Sequence, residues 1–262
     1  MKIITFNTLG IPLLSTNYNK RFDALVEKII DVGPDVVCLQ EVWAFYTKRK
    51  LIKALYDHGY RFSFYPNVLH RFNGLLTLSK YEIRDTKYQS LKPMFSGFNS
   101  TLLEFPGDKG YLLTRLVVGV EEVDVCNVHL NADLSGDYER DSISSRLKAA
   151  SLRRLSSLIR ESNGNKTIIC GDFNFEPGSF SHGEFLQLAE VTDRVPLDYK
   201  TLTKKLFRFP APLKGQRVDH IFTKNIEDVA FKGVSVIWDE LIPDVGYLSD
   251  HAGLLIEIDM DQ

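Results

Sequence analysis

Short runs of β-branched and large apolar residues recur along the whole chain and constrain its fold more than any other feature. Many of them end in Gly, Asn, Asp or Pro, as strands do where they leave a sheet. We predict strands over Lys2–Asn7, Asp35–Gln40, Arg61–Tyr65, Gly74–Ser79, Leu112–Val120, Val123–Leu130, Lys166–Cys170, Val218–Thr223, Val229–Ile237 and Gly253–Ile258. The chain is therefore expected to be rich in sheet.

Helical patterns interrupt these runs. Tyr18–Val32 places Phe22, Leu25 and Ile29 on one face, and Gly33-Pro34 ends it. Further helices are predicted over Trp43–His58, Asp141–Ser162 and Ser179–Leu188. Because the helices lie between groups of strands rather than alternating strictly with them, we predict an α/β fold in which sheets pack on each other and helices cover the outer faces.

Composition narrows the class of protein. The chain has 262 residues, 44% hydrophobic and 25% charged, which suits a soluble globular protein. Its net charge of −2 argues against a broad electrostatic grip on nucleic acid. No signal peptide or membrane span is recognisable, so we expect a soluble, cytoplasmic protein without an integral membrane segment. The cysteines, all within apolar runs, are expected to be buried and reduced: Cys38, Cys126 and Cys170.

Polar motifs stand at the ends of several predicted strands. They are Gln40-Glu41, Asn127-Val128-His129, Gly171-Asp172-Phe173-Asn174 and Leu248-Ser249-Asp250-His251. Each motif alone has an ordinary explanation as a turn, a helix cap or a half-buried polar side chain. Together they predict one site where carboxylates, amides and two imidazoles converge, an inventory that suits a divalent metal ion and a phosphate ester.

Some of these residues can be given alternative roles from local context. Asn7 is either a turn residue, a neutral metal ligand or a group that orients the Glu41 carboxylate. Glu41 is either a metal ligand at a strand end or an acid that interacts favourably with a helix dipole. Asp172 and Asn174 are two residues apart, so in an extended segment they point the same way.

Two further candidates depend on tertiary structure. A carboxylate such as Asp219 could hold the imidazole of His251 in one tautomer, but their sequence separation does not show that they meet. Lys109 is either a solvated loop lysine or a contact to a substrate phosphate.

In this order the motifs resemble those of the endonuclease/exonuclease/phosphatase superfamily, whose fold is similar to that of deoxyribonuclease I. The resemblance runs from Asn7 to His251 and implies one domain over residues 1–262, folded as a four-layer α/β/β/α sandwich. Within the superfamily the chain looks most like the neutral sphingomyelinases. That likeness is carried by Phe6–Ser15, Glu41-Val42-Trp43, Gly74–Lys80, Lys109-Gly110 and Val218-Asp219-His220-Ile221, although His220 stands where an aromatic residue is common.

The resemblance also implies roles for the residues and a reaction. Asn7, Glu41 and Asp250 would bind the metal, Mg²⁺ with Mn²⁺ or Ca²⁺ as alternatives, and Lys109 would contact the substrate phosphate. The catalytic residues would be His129, Asp172, Asn174, Asp219 and His251. The implied protein is an Mg²⁺-dependent phosphodiesterase.

Its substrate would be a sphingomyelin-like head group or, alternatively, a nucleic acid or nucleotide. A basic face for nucleic acid could come from Arg146, Lys148, Arg153 and Arg154, which also fit a solvated helix face. A binding module that has lost its chemistry is the non-enzymatic alternative.

Overall fold

The computed structural model describes residues 1–12, 15–66, 73–91, 109–131, 143–161, 164–203 and 215–260, with the side chains of 143–147 excepted. These residues contain four helices: α1 (Tyr18–Val32), α2 (Phe45–Tyr56), α3 (Ile143–Arg160) and α4 (Phe180–Ala189). Their strands are β1 (Lys2–Gly10), β2 (Val36–Val42), β3 (Phe62–Phe64), β4 (Leu76–Ser79), β5 (Glu82–Ser90), β6 (Gly110–Val118), β7 (Glu121–His129), β8 (Lys166–Asp172), β9 (Thr192–Asp193), β10 (Asp219–Lys224), β11 (Phe231–Ile237) and β12 (Gly253–Ile258).

The strands form two six-stranded sheets. The first has the order β11-β12-β1-β2-β4-β3 and the second β5-β6-β7-β8-β10-β9. At the centre of each sheet one pair is parallel, β1 with β2 and β7 with β8, and the other pairs are antiparallel. Because α1 and α3 lie between the parallel strands in sequence, each supplies the crossover that such a pair requires.

Three apolar layers hold the molecule together. The inner faces of the sheets meet in a core that includes Ile3, Val125 and Ile168. On the outer face of the first sheet, Phe22 and Leu25 of α1 pack against strand residues, and α3 and α4 cover the second sheet in the same way. Since truncating one such buried side chain to alanine costs roughly 2–5 kcal/mol, these layers account for most of the cohesion. The predicted four-layer α/β/β/α sandwich is confirmed.

Most predicted elements are present. The helix at Tyr18–Val32 and the strand at Gly253–Ile258 have the predicted bounds, and the three cysteines are buried and free, as expected. The pattern of apolar residues does not predict strand β5, because its sequence, EIRDTKYQS, is largely polar. It lies at the edge of its sheet, where charged side chains face solvent and block pairing with another chain. Among the helices that the structure describes, none combines the length and the apolar character needed to cross a membrane.

Candidate active site

The register of the second sheet lines up polar residues from four neighbouring strands. His129 at the end of β7 pairs with Asp172 at the end of β8, and Asp172 pairs with Asp219 at the start of β10. Gly110 pairs with His129 from the other side, which brings the preceding residue, Lys109, to the same row. Strand register alone therefore brings four of the nine predicted site residues to one edge of the sheet.

The first sheet supplies the remaining residues of the central cluster. Asn7 of β1 pairs with Gln40 of β2, so Glu41 lies at the same edge. The Asn7 amide Nδ2 donates to Glu41 Oε1 at 3.3 Å and, across the gap between the sheets, to Asp172 Oδ2 at 2.9 Å. Its Oδ1 accepts the Leu9 amide at 3.0 Å. In this orientation the Asn7 amide nitrogen holds the two carboxylates together.

A buried amide pair fixes the two sheets beneath this edge. Gln40 Nε2 donates to Asn127 Oδ1 at 2.8 Å, and Asn127 Nδ2 donates to the carbonyls of Leu39 and Leu76, both at 3.1 Å. Both amide side chains are fully buried, and their nitrogen donors are all paired, whereas Gln40 Oε1 has no hydrogen-bond partner. The amides that precede Glu41 and His129 in the sequence thus set the register on which the site depends.

His129 faces both carboxylates. Its Nε2 lies 3.6 Å from Glu41 Oε1 and 3.6 Å from Asp172 Oδ2, and the three candidate ligand atoms fall within 4.8 Å of one another. Nε2 of His129 and Oδ1 of Asp219 are two of the nine side-chain atoms in the described part of the chain that are buried without a hydrogen-bond partner. Buried polar atoms are rarely left so, and a bound ion or substrate is one way to satisfy them.

Asp219 and His251 form the predicted pair. Asp219 Oδ2 lies 2.7 Å from His251 Nδ1, and Asp172 is close enough to form a cluster with both. Because Nδ1 is engaged by the carboxylate, Nε2 is the imidazole nitrogen left for a substrate. Ser249 Oγ accepts the His251 amide at 3.2 Å and thereby fixes the turn that carries the imidazole.

Burial and neighbouring acids raise the pKa values of two carboxylates in the site, those of Asp172 and Glu41. Burial and the charge of Asp219 raise the pKa of Asp172 to about 7, although His251 and Lys109 act in the opposite direction. Burial also raises the pKa of Glu41, with Lys109 opposing the shift and Asp250 adding to it. Raised pKa values mean that ionising these carboxylates is unfavourable in the protein alone, and a bound cation would make it favourable.

The pKa values of His129 and His251 are shifted in opposite directions. Burial, together with the positive charges of Lys109 and His251, holds the pKa of His129 well below its usual range. Burial alone would lower the pKa of His251 as well, but the charge and hydrogen bond of Asp219, with Asp250 and Asp172, raise it well above that range. These shifts favour the neutral form of His129 and the charged form of His251.

The backbone is strained at two site residues. Glu41 and Asn174 have φ of 59° and 53°, in the left-handed region that non-glycine residues seldom adopt. Gly171 lies inside β8. The neighbouring strand approaches so closely that only glycine fits at position 171, since a Cβ there would lie 2.0 Å from the Val128 carbonyl oxygen.

The remaining predicted residues lie around the same edge. Asn174 donates its amide Nδ2 to the Leu130 carbonyl at 2.9 Å, and its backbone N–H to Asp172 Oδ1 at 2.9 Å. Asp250 accepts from Ser249 Oγ at 3.1 Å, and its charge acts on Glu41 and His251. Lys109 lies close enough to the site for its charge to act on Glu41, His129 and Asp172.

Some supporting residues could not be found from their sequence context. The buried Arg21 donates to the carbonyls of Thr8 at 3.0 Å and Leu248 at 2.5 Å, which ties β1 to the turn that carries His251. Lys148 is buried and donates to the Asn174 carbonyl at 2.7 Å, so it does not belong to a basic outer face. In sequence both are ordinary helix cations, and only their burial distinguishes them.

Fold and site together define a class of protein: two packed sheets whose edges hold carboxylates, amides and a carboxylate–imidazole pair, as phosphoester hydrolases do. The chain belongs to the endonuclease/exonuclease/phosphatase family, whose model matches residues 4–251.

Two curated relatives support a narrower comparison. One is the protein named "Putative neutral sphingomyelinase" of Drosophila melanogaster, 28% identical over 98% of this chain and 60% of its own length. Another is the inositol phosphosphingolipids phospholipase C of Saccharomyces cerevisiae, 27% identical over 74% of this chain and 45% of its own length. The chain thus spans about half the length of the curated relatives it matches.

Solved structures confirm the fold. Sphingomyelinase C from Streptomyces griseocarneus superposes with a TM-score of 0.76, at 19% identity, over 98% of this chain and 99% of that one. A Staphylococcus aureus beta toxin structure with bound magnesium ions gives a TM-score of 0.71 at 18% identity, over 98% of this chain and 99% of that one.

Proposed function

We propose that the protein is an Mg²⁺-dependent phosphodiesterase that hydrolyses the head-group ester of a sphingomyelin-like phospholipid. The observation that carries the proposal is the convergence of Glu41, Asp172 and His129 on one point, beside the Asp219–His251 pair. A binding module without catalytic activity would have no need for buried acids whose pKa values are raised.

The residues fit a hard divalent cation. Glu41 and Asp172 offer carboxylate oxygens within 4.8 Å of each other, and their raised pKa values mean that a positive charge between them would be favourable. We assign Glu41 as the principal metal ligand, with Asp250 supporting the cation through its nearby charge. Bound Mg²⁺ would neutralise charge that develops on the phosphate oxygens. Mn²⁺ and Ca²⁺ also accept oxygen ligands.

The protein's own groups divide the remaining chemistry. Asp172, held by Asn7 Nδ2 and the Asn174 amide, would orient the attacking water and accept its proton. His251, a cation braced by Asp219, would donate from Nε2 to a phosphate oxygen, and Lys109 would add positive charge. Because its Nδ2 already binds the Leu130 carbonyl, Asn174 would act mainly through Asp172.

The lipid substrate is supported by the relatives and by charge. Both curated relatives are named for sphingolipid hydrolysis, and they match most of this chain. A nuclease usually presents a basic face, but the net charge is −2 and one candidate for such a face, Lys148, is buried.

The test is Mg²⁺-dependent release of phosphocholine from sphingomyelin in mixed micelles, with Glu41→Gln as the site variant. Glu184→Gln is the matched control, because Glu184 of α4 is a mostly buried acid that pairs with Arg153 of α3. We expect release by the wild type and the control and loss by Glu41→Gln. If the wild type cleaves an oligonucleotide or an aryl diester but not sphingomyelin, the substrate is wrong. If it cleaves none of them with Mg²⁺, the enzymatic proposal fails.

A further inference from the structure

The strand that carries Asp219 has an incompletely paired edge. Strand β9 pairs with β10 only at Phe222 and Thr223, so the amide of Asp219 lies beyond the reach of that ladder. Thr201 takes the place of the missing strand. Its Oγ1 accepts the Asp219 amide at 3.1 Å and the Val218 amide at 3.2 Å, and its side chain is fully buried.

Thr201 also binds the segment that carries His251, the partner of Asp219. The Ala252 amide, directly after His251, donates to the Thr201 carbonyl at 2.6 Å. Leu202 forms an isolated bridge with His251, and the Thr203 amide donates to the Asp250 carbonyl at 3.2 Å. Residues 201–203 therefore act as a short strand between two segments that carry site residues.

We propose that Thr201 is a positioning residue that sets the geometry of the Asp219–His251 pair, an inference that rests on the proposed function. Asp219 and His251 come from different elements, 32 residues apart, and their 2.7 Å contact requires both backbones to be fixed. Thr201 is bonded to both, through its hydroxyl on one side and its carbonyl on the other. An error of about 1 Å in such a pair is enough to cost up to ~10²-fold in rate.

The test replaces the hydroxyl without changing the shape of the side chain. Thr201→Val removes the acceptor from two buried amides, and Thr201→Ser restores it. Thr114→Val is the matched control, since Thr114 is a fully buried threonine of β6 whose hydroxyl donates to the Val125 carbonyl. The readouts are kcat and KM for sphingomyelin and the proton resonance of His251 Nδ1–H, assigned by its absence in His251→Gln.

We expect Thr201→Val to lower kcat by about tenfold or more with little change in KM, and to weaken or shift the His251 resonance. Thr201→Ser and Thr114→Val should retain both. If Thr201→Val does not fold, Thr201→Ala, which leaves space instead of a methyl group, replaces it in the same measurements. A folded hydroxyl-free variant with an unchanged kcat and resonance would overturn the positioning role. If the wild type hydrolyses no diester but the resonance still depends on the hydroxyl, the positioning role survives and the proposed function fails.

Discussion

Two clusters in this molecule contain the same kinds of side chain but have opposite electrostatics. The mouth cluster is Glu41, His129 and Asp172, and the inner cluster is His182, Asp193 and His220. In each, the candidate metal-ligating atoms lie within 4.8 Å of one another. Burial and neighbouring acid raise the pKa of Asp172 to about 7. Burial also opposes ionisation of Asp193, but the imidazoles of the inner cluster, with Arg217, hold its pKa far below the usual range.

In the inner cluster the Asp193 carboxylate and both imidazoles have partners within the protein, although Arg217 Nε is buried without one. Asp193 accepts from His182 Nε2 at 2.9 Å, from the Val195 amide at 3.1 Å and from the buried guanidinium of Arg217. Both ring nitrogens of His182 are engaged, since Nδ1 accepts the Gly178 amide at 3.2 Å. The Arg217 charge would also repel a metal ion.

The comparison shows that residue types alone do not identify a metal site. Asp193 has its counter-charge within the protein, and the network ties α4 to β9 and β10. Glu41 and Asp172 share an amide donor and a neutral imidazole, and the cations nearest them only partly offset their burial. We therefore propose that the mouth cluster is the functional one and that the inner cluster stabilises the fold.

The largest expected effect comes from Asp172→Asn. Loss of the carboxylate should cut phosphodiester turnover by about 10²-fold or more. In EDTA the same change should leave the Tm unchanged or raise it, because it removes a buried like charge. Turnover assays and thermal unfolding on one preparation check both. A variant that keeps turnover and loses stability would show that the mouth cluster is structural.

The next effect is on stability, from Asp193→Asn. Removing one partner of a buried ion pair costs roughly 3–5 kcal/mol, which corresponds to a Tm decrease of about 6 °C or more for a chain of this size. Turnover per folded molecule should be retained. Asp198→Asn is the control, because Asp198 is exposed five positions further along. Loss of turnover with an unchanged Tm would reverse the assignment of the two clusters.

The smallest expected effect is a difference between Asp193 and Asp172 in how their contributions to stability depend on pH. The pKa of Asp193 is lower in the folded state than the unfolded value near ~3.9, so its stabilisation is full above that value and is lost as pH falls. The raised pKa of Asp172 has the opposite sign, since the folded state becomes less stable as pH rises from about 4 towards 7. In EDTA, the Tm deficit of Asp193→Asn should therefore shrink on acidification, and any Tm gain of Asp172→Asn should grow towards neutral pH. Parallel profiles would contradict the account.

Much of the fold was predictable because periodic apolar residues report burial directly. Helix α1 has a single apolar stripe between clear ends, and its bounds were predicted exactly as found, while β5 is an edge strand whose exposure removes that pattern. Strand β9 has only two residues and carries no periodicity at all. Edges and short bridges depend on neighbours that are distant in sequence, so local pattern does not indicate them.

The site was predictable as a set of strand ends but not as an arrangement. The motifs around Glu41, His129 and Asp172 follow apolar runs, and strand register then brings them together. Whether Asp219 meets His251 depended on tertiary structure, and the structure shows that it does. Thr201 gave no signal, because a threonine in an irregular segment is ordinary until its two amide partners are known.

The most direct test of the unbalanced mouth cluster is calorimetric titration of Mg²⁺ into the metal-free protein, at a temperature where every variant is folded. We expect Mg²⁺ to bind the wild type, to bind Asp193→Asn with wild-type affinity, and not to bind Glu41→Gln. Binding that persists in Glu41→Gln, or that disappears in Asp193→Asn, would contradict this expectation.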